Sequence, residues 1–270
     1  EHRSSRGRAK RLKNERIRTY AVAQLKSGYS PEQISGRIRI DLHLRISHEA
    51  IYQFIYAQIY RKGHGYVKPG CTDLRPYLKR RHKRRTKKGM RKGQRVFKPN
   101  GPSIDERPAI IERRSRIGDW EGDTVESAHH AAGINTLVER KSGLVFITKV
   151  RDKTANATRE AIAKRLAFLP AHCRRTLTVD NGPENRQWED VEETVGIRCF
   201  FAHPYHSWER GTNENTNGLI RWYFPKGTDF RMIRDEDITK VEHALNTRPR
   251  KRLGWRTPLE VFTRGVALQS

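Results

Sequence analysis

Residues 118–125 read Gly-Asp-Trp-Glu-Gly-Asp-Thr-Val, and this stretch decides the fold. It predicts a β-strand over residues 118–127 that carries Asp123. Side chains alternate between the two faces of a strand, so Asp119, Glu121 and Asp123 share one face. Strand geometry alone does not decide which of these three carboxylates takes part in chemistry.

The residues after this strand predict a domain of mixed α/β structure. A Lys-Ser-Gly turn at 141–143 separates two further strands, which therefore form a hairpin. In chain order, the predicted elements are strands over 134–140 and 144–150, a helix over 153–168, a strand over 175–179, a helix over 183–195, a strand over 197–202, and helices over 207–224 and 236–247. The predicted order is therefore βββαβαβαα.

Two more carboxylates lie in distinctive local sequences. Asp180 follows the strand over 175–179, and the Asn-Gly-Pro turn after it could aim its side chain outward. Glu214 lies on the helix over 207–224, with 33 residues between it and Asp180. Three converging carboxylates can hold a pair of hard divalent cations, and such a pair cuts and rejoins phosphodiester bonds. The pattern therefore predicts metal-dependent chemistry on nucleic acid.

Other polar residues near Glu214 have competing interpretations. Glu209 is an alternative to Glu214, but it lies near a helix start, where the helix dipole favours an acid and a structural role suffices. Glu184 is interpreted as an acid at a helix N-terminus. Asn217 and Arg221 lie three and seven residues after Glu214, so they share its helical face and could contact phosphate.

The aromatic residues before this helix also allow two interpretations. His203, Tyr205 and His206 could contact scissile DNA or stack on a flipped base, but they could equally just end a strand. His206 is a weak candidate for a metal ligand, because the carboxylates already suffice. Core positions, rather than base stacking, are predicted for four tryptophans: Trp120, Trp188, Trp208 and Trp222.

Charge is distributed unevenly along the 270 residues, whose formal net charge is +26. Residues 1–114 contain 31 Lys and Arg against 9 Asp and Glu, whereas residues 115–270 contain 25 against 21. The front therefore predicts a polyanion-binding region, and the back a nearly balanced globular domain. Three widely spaced cysteines without a Cys-x-x-Cys pair indicate neither a disulfide framework nor a cysteine-rich zinc site.

Targeting signals are not recognisable in the sequence. No apolar run is long enough to span a membrane and no secretory leader is present, so we expect a cytoplasmic location and no membrane partner. The chain opens on Glu1 rather than Met, and we expect further residues to precede it.

Three short helices are predicted in the front region, over residues 15–27, 30–39 and 47–56. Ser-Pro-Glu at 30–32 is a typical helix start, and Ser47 can cap the third helix. Short helices with tight connections in a basic sequence indicate a helix-turn-helix unit, although a helical bundle without DNA contacts is the alternative. The third helix would read bases, and its candidate contacts are His48, Glu49, Tyr52 and Gln53.

A block of like charge follows, with twelve Lys and Arg and no acid over residues 79–98. Such a block cannot pack on itself, but beside DNA it can neutralise phosphates and release counterions. The alternative is a solvated linker. Its candidate phosphate contacts are Lys79, Arg80, Arg81, Lys83, Arg84, Arg85, Lys87 and Lys88.

The motifs together resemble those of the DDE transposase and retroviral integrase superfamily. The pattern is Trp-x-x-Asp-Thr, then Asp-Asn-Gly-Pro-Glu, then a glutamate followed by Asn-x-Asn. The longer sequences of four segments are similar to those of bacterial transposases of the insertion sequence 30 family. These segments are residues 118–125, 180–185, 203–221 and 224–230. The similarity is close over about residues 115–262. Members of this family usually carry a further N-terminal DNA-binding segment.

This resemblance implies a fold and a chemistry. The fold is an RNase H-like catalytic domain, with a mixed five-stranded sheet and flanking helices, after a small all-α helix-turn-helix domain. The expected division is a DNA-binding region over 1–60, a basic linker over 61–112 and the catalytic domain over 113–270. Asp123, Asp180 and Glu214 would be the catalytic carboxylates that hold two Mg²⁺ ions, for which Mn²⁺ can substitute.

The resemblance also implies partners. They are the terminal inverted repeats of an insertion sequence and a target DNA, bound by two protomers in the bacterial cytoplasm at the nucleoid. The segment over 248–262 resembles the closing segment of many DDE enzymes, and Arg250, Lys251 and Arg252 are its candidate DNA contacts. Two alternatives stay open: an inactive DNA-binding regulator, and a metal-dependent nuclease without strand transfer.

Overall fold

Two compact units make up the part of the chain that the computed structural model describes, residues 12–78, 101–127, 133–204 and 206–268. The first unit contains residues 12–78 and 248–256, and the second contains the other described residues. The predicted phosphate contacts over 79–88 lie outside the described residues, as does Tyr205. The predicted division at residues 60 and 112 stays a prediction.

Three helices build the first unit, close to their predicted positions. They are α1 (Glu15–Lys26), α2 (Pro31–Asp41) and α3 (His48–Ala57). Each begins after a residue whose side-chain oxygen accepts a bond from a free N–H of the first turn, namely Asn14, Ser30 and Ser47. The helix starts predicted at Ser30 and Ser47 are confirmed. The buried faces contribute Ile17, Ala21, Leu25, Ile34, Ile38, Ile51 and Ile55 to one core.

Nine residues from far along the chain complete this unit, and the sequence did not reveal them. The segment Arg248–Arg256 belongs to the first unit. The buried Arg248 side chain donates to the Gly28 carbonyl at 2.8 Å. A Cβ at Gly36 would overlap the Trp255 ring, so the ring packs directly on the α2 backbone. Glycine is required at residue 36 because no side chain fits there.

A five-stranded sheet forms the second unit. Its strands are β1 (Asp119–Glu126), β2 (Gly133–Glu139), β3 (Val145–Val150), β4 (Thr176–Val179) and β5 (Arg198–Phe201). The spatial order is β3-β2-β1-β4-β5, with β1, β2 and β3 antiparallel and β1, β4 and β5 parallel. This mixed order is that of an RNase H-like sheet, as predicted. Glu121 on β1 pairs with Thr178 on the parallel strand β4. Asp123 and Asp180 each lie two residues further along, so they come to the same end of these strands.

Five helices flank this sheet and bury both of its faces. They are α4 (Ala155–Leu166), α5 (Trp188–Val195), α6 (Gly211–Tyr223), α7 (Asp235–Asn246) and α8 (Pro258–Ala267). Residues of α4, α5 and α8 share one apolar core with Trp120, and residues of α6 and α7 share another with Val125. In the described part of the chain, no helix is both long and apolar enough to cross a bilayer.

The helices predicted over 183–195 and 207–224 begin later than expected. Each opens as a 3₁₀ turn, Pro183–Asn185 and Ser207–Arg210, before the α-helix starts. The first turn follows Asp180, whose side chain accepts the Gly182 N–H. In the second, Glu209 bonds back to His203 instead of to its own helix start. Local side-chain bonds therefore compete with the first helical turn.

The tryptophans divide between core and surface, so their prediction was partly wrong. Trp120 is buried and stacks on Phe146, with ring centroids 5.2 Å apart, and Trp188 packs against the same core. In contrast, Trp208 is 67% exposed and Trp222 is 47% exposed. The sequence places both on one predicted helix, but Trp208 lies in the 3₁₀ turn before α6, and Trp222 lies on a solvent-exposed part of α6.

Candidate active site

The acidic face of β1 is divided between buried and accessible carboxylates. Asp119 is 1% exposed, and both its oxygens accept bonds from Arg116, at 2.9 and 3.0 Å. Glu121 is also buried, with Oε1 2.9 Å from Arg140 Nη1; the two atoms lie off the hydrogen-bonding line, so their attraction is mainly electrostatic. Asp123 keeps 27% of its side chain exposed. Of the three, Asp123 is therefore the one that a ligand can reach.

Asp180 lies one residue beyond β4 and is held by the turn that follows it. Its Oδ1 accepts bonds from the Gly182 N–H at 3.1 Å and from Asn185 Nδ2 at 2.9 Å. Asn181 anchors the turn by donating to the Ala202 carbonyl at 2.6 Å. The Asp180 side chain remains 38% exposed. The Asn-Gly-Pro turn thus leaves this carboxylate fixed and accessible.

Arg210 joins the two aspartates. Its Nη1 lies 3.4 Å from Asp123 Oδ1, and its Nη2 lies 3.2 Å from Asp180 Oδ2. Nη1 also donates to the Gly122 carbonyl at 3.0 Å. Sequence reasoning missed this residue, although it lies four positions before Glu214 in the helix predicted over 207–224. In the structure, Arg210 ends the 3₁₀ turn that precedes α6.

Helix α6 supplies the rest of the site from the face that lies over β1. Asn217 Nδ2 donates to Asp123 Oδ2 at 2.7 Å. Glu214, three residues before Asn217 in α6 and so on the same helical face, is exposed. The carboxylate oxygens of Asp123, Asp180 and Glu214 do not all lie within 4.8 Å of one another. The fold thus joins the two aspartates through Arg210, whereas the place of Glu214 in this centre stays a prediction.

The environment of Asp123 changes its acidity. Burial raises the pKa of the Asp123 carboxyl, because the charged form loses solvation. The nearby Arg210 opposes this rise, and the Asp180 carboxylate adds to it. The net direction is upward, as expected where two carboxylates approach each other. A second cation would favour both ionised forms.

A different group of possible metal ligands lies immediately before α6. Glu209 Oε1 is 2.8 Å from His203 Nδ1 and 3.1 Å from His206 Nδ1. The three ligand atoms lie within 4.8 Å of one another, and no other set of three or more His, Cys, Asp or Glu does so among the described residues. Sequence reasoning treated Glu209 as a helix-dipole acid. The overlooked signal was a spacing of three residues from each of these side chains to the next.

The other predicted DNA contacts in the second unit are engaged within the protein. Asn217 lies in the site, as described. Arg221 donates to the Glu126 carbonyl at 3.2 Å. His206 stacks on Trp208, with ring centroids 4.3 Å apart. Their contacts with DNA stay predictions.

The predicted contacts in the first unit differ in exposure. On α3, His48, Glu49 and Gln53 are exposed and Tyr52 is half-buried. In the segment 248–256, Lys251 and Arg252 are exposed, whereas Arg250 is half-buried. Burial, together with two neighbouring arginines, lowers the pKa of Arg250 to about 10. All of these assignments to DNA also stay predictions.

Comparison with solved structures finds similarity to retroviral integrase cores. The catalytic core domain of BIV integrase has a TM-score of 0.45 and 20% identity, covering 56% of this chain and 96% of that core. The HTLV-2 integrase catalytic core domain in complex with magnesium has a TM-score of 0.43 and 19% identity, covering 54% of this chain and 97% of that core. No protein-family model matches the chain.

Sequence relatives are closer. The chain is 41% identical to the transposase for insertion sequence element IS4351 of Bacteroides fragilis, over 91% of this chain and 72% of that protein. It is 38% identical to the transposase InsI for insertion sequence element IS30A of Escherichia coli (strain K12), over 93% of this chain and 66% of that protein. The chain thus spans about two thirds of the length of these relatives. The similarity extends over nearly all of the chain, which therefore belongs to the insertion sequence 30 family of transposases.

Proposed function

We propose that this transposase cleaves and joins DNA strands at a centre formed by Asp123, Asp180 and Glu214. The observation that carries the proposal is that Asp123 and Asp180 share one guanidinium, with Arg210 nitrogens 3.4 and 3.2 Å from their oxygens. A position where two carboxylates converge on one cationic group suits a divalent cation. The donors are all oxygens, so Mg²⁺ fits them, with Mn²⁺ as a substitute.

Glu214 completes this donor set in the proposal. It lies three residues before Asn217 on one face of α6 and four residues after Arg210, and both Asn217 and Arg210 contact Asp123. In two-metal sites the ions lie about 3.5–4 Å apart, so the carboxylates that bracket them need not touch each other. Two bound ions would supply activation of the attacking oxygen and stabilisation of the leaving oxygen.

The neighbouring residues position the carboxylates. Asn217 holds Asp123, while Gly182 and Asn185 hold Asp180, each through bonds of 2.7–3.1 Å. Side chains fixed in this way need little reorganisation when substrate binds. Arg210 offsets one of the two negative charges, and its guanidinium would be available to a phosphate if a metal ion occupied its position.

DNA is the partner that membership of a transposase family implies, and we assign its ends and target as follows. The exposed side of α3 would read bases in the terminal repeats. The basic block over 79–98 and the exposed Lys251 and Arg252 would neutralise phosphates. Two protomers would hold two element ends together during strand transfer.

The test uses labelled DNA that carries a terminal repeat, with Mg²⁺ or Mn²⁺ in the buffer. The variants are Asp123→Asn, Asp180→Asn and Glu214→Gln. We expect each to lower cleavage and joining by about 10³-fold or more, because the loss of metal-held charge costs several kcal/mol in the transition state. DNA binding should remain, since the basic residues are unchanged.

Glu189→Gln is the matched control, because it removes an exposed carboxylate from α5 in the same unit. It should cleave and join as the unaltered protein does. Full activity in any one of the three variants would remove that residue from the proposed centre. Cleaved products without joined ones would favour a nuclease that lacks strand transfer.

A further inference from the structure

The ligands gathered by His203, His206 and Glu209 differ in kind from those of the carboxylate centre. Two imidazole nitrogens and one carboxylate oxygen suit Zn²⁺ and similar cations, whereas Mg²⁺ prefers oxygen alone. Glu209 Oε1 lies 2.8 and 3.1 Å from the two Nδ1 atoms. A tetrahedral ion with bonds of about 2.1 Å keeps its ligand atoms about 3.4 Å apart. Small side-chain movements would therefore let an ion enter.

The backbone holds these ligands in place. Glu209 Oε2 accepts the His203 N–H at 2.8 Å, so Oε1 is left facing both rings. The His206 N–H donates to the His203 carbonyl at 3.2 Å, and the Glu209 N–H to the His206 carbonyl at 3.0 Å. Two consecutive turns thus bring residues three apart to the same side. The arrangement is formed locally before any ion binds.

Asp105 supplies an outer partner. Its Oδ2 lies 3.0 Å from His203 Nε2, so the ring lies between two carboxylates. Ionised carboxylates only accept hydrogen bonds, and a neutral imidazole has only one N–H to donate. With a cation on Nδ1 and the proton on Nε2, a neutral His203 satisfies both contacts. Metal-bound histidines almost always donate this second N–H to a carboxylate, a backbone carbonyl or a water.

Solvent can reach the site. The side chains of His203 and His206 are 38% and 36% exposed. We infer that His203, His206 and Glu209 form a binding site for a Zn²⁺-like cation, with Asp105 behind His203 and a water at the fourth position. The ion fastens the segment between β5 and α6. This site uses different side chains from the proposed carboxylate centre, and the inference does not depend on that centre.

Binding of Zn²⁺ is measured on the full chain without a histidine tag, by calorimetry in millimolar Mg²⁺. Co²⁺ provides a second probe, because four-coordinate Co²⁺ absorbs visible light. We expect one ion per chain with a tetrahedral Co²⁺ spectrum. His203→Gln, His206→Gln and Glu209→Gln should each weaken binding by about 100-fold or more. Asp105→Asn should weaken it by about 10- to 100-fold, as loss of an outer partner does.

Three controls test whether Zn²⁺ binds at these side chains and nowhere else on the chain. His243→Gln removes an exposed histidine of α7 and should leave binding unchanged. Asp180→Asn should also leave it unchanged, which keeps this result independent of the proposed function. Thermal melts without metal identify any variant that fails to fold. If a cluster variant fails to fold, the Zn²⁺ affinity of Asp105→Asn decides whether the inference holds. If the unaltered protein takes up no Zn²⁺, or the cluster variants bind it equally well, the three side chains form only a hydrogen-bonded clamp and the inference is wrong.

Discussion

The two ends of the acidic face of β1 carry the same side-chain type in opposite circumstances. Asp119 and Glu121 are buried and paired with Arg116 and Arg140. Asp123, two residues beyond Glu121, lies in reach of solvent and shares Arg210 with a second carboxylate. The buried ion pairs at one end stabilise the fold, whereas the carboxylate at the other end is accessible to a ligand. A carboxylate motif therefore identifies a strand, but burial decides which member can do chemistry.

The balance of charge at each end of the strand explains why Glu121 is structural and Asp123 is available to a ligand. Glu121 Oε2 also accepts the Asn213 N–H at 2.8 Å, so the buried carboxylate connects β1 to the start of α6. Arg140 has a second acidic neighbour, Glu112 Oε2, at 3.1 Å. Buried charges remain only when they are paired and hydrogen-bonded. At the Asp123 end, two carboxylates face one guanidinium, so negative charge is in excess.

Glu121→Gln should have the largest effect on stability. It leaves the buried Arg140 without its closest partner, and breaking a buried ion pair typically costs about 3–5 kcal/mol. We expect the free energy of unfolding, from urea titration, to fall by that amount, whereas Asp123→Asn should leave it almost unchanged. Equal losses in the two variants would show that both ends of the strand are structural.

Asn217→Ala should have the next largest effect, and on activity rather than stability. It removes the 2.7 Å bond that holds Asp123, and the loss of such an outer contact lowers metal affinity or activity by about 10- to 100-fold. The measurement is strand cleavage against Mg²⁺ concentration. Asn215→Ala is the control, since Asn215 is exposed on the same helix. Matching rates in the two variants would mean that Asp123 needs no support from α6.

The smallest effect concerns the dependence of stability on pH, measured without metal. The pKa of Asp123 is raised in the folded protein, so the folded state binds this proton more readily than the unfolded state. Ionised Asp123 therefore lowers stability as pH rises from its ordinary pKa through the raised value. We expect Asp123→Asn to be slightly more stable than the unaltered protein at neutral pH, with the difference vanishing in acid. An Asp123→Asn variant that is less stable than the unaltered protein at neutral pH would mean that Arg210 outweighs burial.

The sequence predicted the order of elements well, because each depends on local pattern. The alternation of residues between the two faces predicted the strands, and Ser30 and Ser47 predicted helix starts. The choice of Asp123 over Glu121 came from resemblance alone, since nothing local reveals that Arg140 meets Glu121 across neighbouring strands. Arg210 was missed for a similar reason. Its partners, Asp123 and Asp180, are brought to it by strand pairing and not by chain proximity.

The Trp255 ring on Gly36 has a consequence for how the protein is made. Residues 12–78 leave the ribosome long before residues 248–256, yet the first unit includes both. Until residue 256 emerges, the backbone at Gly36 lacks the ring that covers it, and the Gly28 carbonyl lacks its Arg248 donor. Of the two described units, the one whose first residues are translated earlier is therefore completed only after most of the other has been translated.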